Sequence, residues 1–221
     1  MNPIRTSICK LIAALTLLGS TTFLQAAVVT LDFDAALACT GGPCINGSAI
    51  SDSYGDNASL NFSWTGSSSN GGPADADANW WDADYGSLRG VAWGGNSSNG
   101  VLRVIIEGLG GTTLSGIAFD YAGWPNTDRS VFVTVRSLDL STVYASTTLT
   151  APGTGFLNAN ACCGAFSAFV LDFGPDGFNA GIDNLTIDYT PGTAVSEPAS
   201  LALMLAALGG LGLMRWKKSR T

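Results

Sequence analysis

Two acidic steps, Asp75-Ala76-Asp77 and Asp82-Ala83-Asp84, flank the triplet Asn79-Trp80-Trp81. Carboxylates this close repel one another unless water or a cation screens them, and calcium takes about six to eight oxygen ligands from such loops. Asp75, Asp77 and Asp84 are therefore calcium-ligand candidates. Indole rings stack on the apolar face of a sugar, and a neighbouring carboxylate accepts hydroxyl hydrogens, which makes Trp80, Trp81 and Asp82 a candidate carbohydrate contact. The competing reading is a solvated acidic loop pinned by its tryptophans, since D-A-D lacks the glycine-bearing spacing of a recognised calcium loop. A second acidic set lies far apart in sequence: Asp32 and Asp34 in LDFDA, and Asp183 in GIDNLTID. On one strand Asp32 and Asp34 share a face, with Phe33 on the other, and they meet Asp183 if the first and last strands are neighbours.

Trp64, Trp93 and Trp124 lie in or beside β-rich runs and are expected in the core. Trp124, followed by Pro125-Asn126 at a strand exit, is the one of the three expected nearest the surface, and it joins the carbohydrate candidates. No catalytic residue is assigned. The chain has no histidine, which removes the usual general base and the commonest transition-metal ligand. There is no G-x-S-x-G, Glu107 is the one glutamate between residues 28 and 196, and chance aspartate pairs are expected in so acidic a chain. The expectation is a protein that is not an enzyme.

Between residues 28 and 196 sixteen acidic residues face four basic ones, Arg89, Arg103, Arg129 and Arg136, with no lysine. Such a surface repels nucleic acid and anionic headgroups and favours cations, though solubility alone also accounts for it. Cys9 falls within the N-terminal 27 residues, which are set apart below; Cys39, Cys44, Cys162 and Cys163 remain. A Cys162–Cys163 bridge would join Cα atoms about 3.8 Å apart, below the usual ~4.4 Å minimum. Cys39 and Cys44 are therefore expected to pair each with one of Cys162 and Cys163, closing long loops.

The elements that must position these groups are short and β-rich. Strands are expected at 28–34, 59–64, 88–93, 101–108, 113–122, 130–138, 142–150, 165–174 and 181–189. Several alternate, with Val131, Val133 and Val135 on one face and Phe132, Thr134 and Arg136 on the other. This pattern predicts an all-β fold, an antiparallel two-sheet sandwich or barrel spanning 28–189. Residues 65–87 read as one long surface loop.

The two ends differ from this body. Arg5 and Lys10, the apolar run 11–18 and the small residues up to Ala27 read as a signal peptide over 1–27, and hence as export. Residues 190–196 form a linker. From Ala199 to Met214 the chain is almost wholly apolar, ending in Arg215, Trp216, Lys217, Lys218 and Arg220. Sixteen helical residues reach about 24 Å, short of a ~30 Å hydrocarbon core, so this transmembrane helix is a marginal or transient one. The basic end keeps it on the cytoplasmic side.

The order Ser196-Glu197-Pro198, a short glycine-bearing apolar run and a basic finish resembles the PEP-CTERM sorting signal over 197–221, with Ser196 where that family usually has proline. The resemblance implies recognition by exosortase, transient membrane attachment, and a destination at the cell surface or in the extracellular matrix of a Gram-negative bacterium that makes exopolysaccharide. LDFD and GIDNLTID resemble the terminal strands of jelly-roll carbohydrate-binding modules, where terminal carboxylates often hold calcium; this implies Asp32, Asp34 and Asp183 as calcium ligands. Together the resemblances imply a non-catalytic protein associating with exopolysaccharide or another surface glycan in biofilm or floc. The alternatives are a structural surface coat without sugar specificity and a glycan-active enzyme.

Overall fold

The computed structural model describes residues 25–95, 99–175 and 178–192, with the backbone alone for 161–163. Most of the expected signal peptide, the linker beyond residue 192 and the sorting segment with Ser196, Glu197 and Pro198 lie outside the described residues. The described residues form eleven strands: β1 (Ala27–Leu31), β2 (Leu60–Ser67), β3 (Ala76–Trp81), β4 (Val91–Gly94), β5 (Val101–Gly108), β6 (Thr113–Gly123), β7 (Arg129–Arg136), β8 (Val143–Ala151), β9 (Leu157–Phe166), β10 (Ala168–Gly174) and β11 (Ala180–Thr190).

All the pairings are antiparallel, and the sheet runs β8-β7-β10-β5-β2-β3-β4-β11-β6-β9, with β1 also on β11. The last eight strands make two four-strand rows, β5-β10-β7-β8 and β4-β11-β6-β9. β4 faces β11, β5 faces β10, β6 faces β9 and β7 faces β8, so the chain is one long nested hairpin wrapped into two sheets. That is the strand order of a jelly roll, the sandwich expected from the alternating runs. β3 turns the corner, pairing with β2 through its first residues and with β4 through the rest.

Alternation sorts the side chains. Val131, Val133 and Val135 of β7, Leu102, Val104 and Ile106 of β5, and Ile117, Phe119 and Tyr121 of β6 point into the core. Trp64, Phe33, Phe119, Phe169 and Phe173 are its largest fully buried side chains. At about 1.5–3 kcal/mol for each large apolar side chain, these layers hold the sheets together.

On the outer face of the β5-β10-β7 row a buried ion pair pins a loop. Arg103 grips Asp172 with two charge-assisted bonds, Nε to Oδ1 at 2.7 Å and Nη2 to Oδ2 at 2.9 Å. The Gly71 N–H reaches Asp172 Oδ2 at 3.2 Å, and Gly72 gives its carbonyl to Arg103 at 2.5 Å. Gly71 has φ +71°, a conformation that costs a glycine little. Arg136 completes the set, 3.5 Å from Asp172 and bonded to Asn70 at 2.8 Å.

Three expectations are corrected. Residues 65–87 are not one loop, because β2 runs on to Ser67 and β3 occupies Ala76–Trp81. The polar outward residues Asp77 and Asn79 hide the inward pair Ala78 and Trp80. The run 165–174 is two strands that meet at Ser167, whose carbonyl accepts the Gly108 N–H. β9 itself was not expected, its residues being mostly small. Cys39 and Cys44 are bonded to each other rather than to Cys162 and Cys163. The Gly41-Gly42-Pro43 turn brings their Cα atoms to 5.2 Å, within the range a disulfide spans. The side chains of Cys162 and Cys163 lie outside the described residues.

Candidate functional site

β3 delivers the paired tryptophans to opposite faces of the sheet. Trp80 points inward, 4% exposed, and donates its indole N–H to the Phe33 carbonyl at 2.8 Å. Gly90 permits this contact: at φ +68°, a Cβ there would lie 2.7 Å from the same carbonyl oxygen. Trp80 is thus a core residue and not a sugar platform, which corrects the expectation drawn from its sequence position.

Trp81 points outward into a second apolar cluster with Tyr85, Leu88, Val91, Trp93, Ala122 and Trp124. Four rings follow one another edge to face. Trp81 meets Trp124 at 6.3 Å between centroids, Trp124 meets Phe178 at 5.6 Å, and Phe178 meets Trp93 at 5.0 Å. Such pairs contribute about 0.5–1.5 kcal/mol each beyond their buried area. Trp93 is buried at the base of the cluster, Trp81 and Trp124 are half-buried, and Phe178 is 38% exposed.

Main-chain contacts hold this row in place. The Tyr85 hydroxyl donates to the Phe178 carbonyl at 2.7 Å, and the Trp124 N–H donates to the Asn179 carbonyl at 2.7 Å. The Asn126 N–H donates to the Asp84 carbonyl at 3.0 Å, joining the loop after β3 to the loop after β6. Asp82 and Arg89, both exposed, stand 3.9 Å apart on the rim. The indole N–H groups of Trp93 and Trp124 find no acceptor among the described residues. The result is a half-open aromatic row, with Asp82 adjoining Trp81 in the chain.

The acidic echo does not converge. Asp77 and Asp82 stand at opposite ends of β3, roughly 16 Å apart at about 3.3 Å per residue. Asp75 and Asp77 are exposed at one end, Asp82 and Asp84 at the other.

The terminal acids do partly meet, because β1 pairs with β11 as the sequence suggested. Asp183 lies opposite Asp120 of β6, a residue the sequence reading did not single out. Burial is the main cause lifting the Asp183 carboxyl to about 7; the charges of Asp120 and Asp32 add to it, against the opposing Asn184 N–H. Asn158 and Asn184 donate side-chain amides to the two oxygens of Asp120 at 3.1 and 2.9 Å. Asp34 does not act on Asp183; its N–H donates to Asp32 Oδ1 at 3.2 Å, and its carboxylate turns to a cap. The strand ends at Leu31, Phe33 takes φ +49°, and Asp34 accepts the Ala36 N–H at 2.8 Å as the cap of a turn. Among the described residues no group of three acidic or thiol side chains is arranged to hold a metal ion.

Sequence reasoning missed Phe178, Tyr85 and the outward aim of Trp93. Phe178 follows β10 in a polar turn, where composition carries no signal. Asp120 was within reach of the alternation rule, because Ile117, Phe119 and Tyr121 point inward and so turn Ala118 and Asp120 outward.

No protein-family model matches this sequence, and no curated protein does. Solved structures overlap it in part. One is the GH26-CBM35 β-(1,4)-mannanase of Podospora anserina, at 14% identity and TM-score 0.36 over 64% of this chain and 29% of that one. Another is an exo-β-1,3-galactanase from Phanerochaete chrysosporium with galactose, at 14% identity and TM-score 0.34 over 65% and 29%. A variant of the family 29 carbohydrate-binding module CBM29-2 has 11% identity and TM-score 0.36 over 79% and 99%. The chain thus spans less than a third of the two enzymes it overlaps. Overlaps this weak transfer no property of those proteins to this one.

Proposed function

We propose that this chain is an exported, non-catalytic protein that associates with polysaccharide through the outer aromatic row. The observation that carries the reading is the pair Trp81 and Trp124, half-buried and edge to face beside the exposed ring of Phe178. Rings fixed by packing lose little freedom when a sugar stacks on them. Asp82 directly follows Trp81 in the chain and pairs with Arg89, so hydroxyl-binding charges border the row in sequence. The sixteen-to-four excess of acidic residues disfavours polyanions, so the glycan is a neutral one or one bearing amino groups. Delivery to the cell surface or extracellular matrix by exosortase, and a role in biofilm or floc, belong to the same proposal and rest on the C-terminal resemblance.

The test is retardation of the full-length chain in native gels containing neutral, amino-bearing or acidic polysaccharides. Retardation by a neutral or amino-bearing polysaccharide, lost in Trp81→Ala and Trp124→Ala, is the expected result. Retardation unchanged in both variants, or none with any polysaccharide, overturns it, and release of new reducing ends would replace it with an enzymatic role.

A further inference from the structure

β8 ends one row of the sandwich, pairing with β7 on one side only. Its nine residues, VYASTTLTA, include no charge, no proline and no glycine. Free edges are usually blunted by lysine, proline, a bulge or shortness. β1 has five residues, and the β9 ladder carries a register shift and Gly164. The β7–β8 ladder also shifts register at Tyr144, but it runs unbroken from Arg129↔Ala151 to Val135↔Ala145. The stretch Ala145–Ala151 is thus a regular, uncharged edge of the kind another strand pairs with.

We propose that the partner is a second copy of this chain, joined β8 to β8 in antiparallel fashion about a two-fold axis at Thr147. The strand is complementary to itself in that register. Within the regular stretch, Ser146 meets Thr148 and Ala145 meets Leu149 of the partner copy. Hydroxyls then face hydroxyls on the outer side, and Ala145 and Leu149 meet on the core side, flanking Thr147.

A second observation points the same way. Leu138, Val143, Phe156 and Leu157, all 46% exposed or more, lie on β8 or on the segments flanking it, while Tyr144 stacks on Phe166 of β9 at 4.2 Å. The first two lie towards the start of the strand and the last two beyond its end. An antiparallel two-fold pair runs the Leu138–Val143 end of each copy towards the Phe156–Leu157 end of the other, which brings exposed apolar residues to both ends of the contact. Both acidic domains carry the same sign, so salt tightens this association by screening their repulsion.

The proposal does not depend on glycan binding. Sedimentation of the full-length chain over a concentration series and mild oxidation of cysteine variants test it. The expected results are a monomer–dimer equilibrium that tightens with salt, a dissociation constant raised at least tenfold by Thr147→Lys, and a new intermolecular disulfide in Thr147→Cys. Antiparallel partners lie about 4.5–5.5 Å apart at Cα, within disulfide reach. Thr148→Cys faces Ser146 of the second copy and is expected to form no such link with itself. Self-association unmoved by Thr147→Lys, equal cross-linking at positions 147 and 148, or a monomer at all concentrations overturns the proposal. Thr147 is exposed, so loss of folding is not expected, and the cysteine comparison stands if Thr147→Lys fails to fold.

Discussion

Asp183 and Asp120 stand opposite each other in the β11–β6 ladder, the first buried and the second capped by two asparagine amides. Like charges facing across strands destabilise a sheet, and here a proton on Asp183 relieves the repulsion. Unfolded, Asp183 loses its proton near pH ~4; folded, it keeps it to about 7. Between these values the unfolded chain binds fewer protons, so stability falls as pH rises from about 4 to about 7. The loss from this group is roughly 2–4 kcal/mol. Urea denaturation at pH 4.5 and 8 is expected to show this slope, and Asp183→Asn to remove it and be the more stable protein at pH 8.

A calcium ion at the same corner would give the opposite sign. Bound cation favours the ionised carboxylate, so millimolar calcium would raise the melting temperature at pH 7.5 more than at pH 5. Relief by protonation alone predicts a curve that chelator leaves unchanged at both values. Differential scanning calorimetry with calcium or with chelator separates the two.

The two adjacent tryptophans are expected to respond differently to truncation. Trp80→Ala removes a buried ring and the hydrogen bond to Phe33 and is expected to cost about 3–5 kcal/mol. Trp81→Ala opens a half-exposed site, and about 1–2 kcal/mol is expected. Denaturant midpoints of the two variants test this order.

Breaking the buried pair from one side leaves a charge without its partner. Asp172→Ala strands Arg103, 2% exposed, and is expected to cost about 3–5 kcal/mol. It also frees the Gly71 N–H, so proteolysis within 68–73 is expected to quicken before global unfolding does.

Much of the fold was legible in the sequence because one-sided sheets impose a period of two, as in SVFVTVR. β5 was read to the residue, and the first and last strands do pair, which was the condition set for Asp32 and Asp183 to meet. What escaped had physical causes. β3 hides its inward Ala78 and Trp80 among polar outward residues, and adjacency in sequence made Trp80 and Trp81 look like one site although a strand sends them to opposite faces. The disulfide was misassigned because strain at Cys162–Cys163 was weighed, while the tight Gly41-Gly42-Pro43 turn was not. Phe178 entered the aromatic row through tertiary contact alone.

The outer aromatic row is tested most directly by measuring glycan affinity and stability together on one set of variants. Calorimetric titration of the retarding polysaccharide into Trp81→Ala and Trp124→Ala is expected to show affinity at least tenfold weaker, while each variant stays fully folded at the titration temperature with a stability loss of only about 1–2 kcal/mol. Full affinity in both variants would contradict the row as the binding site, and so would a loss that only tracks the loss of stability.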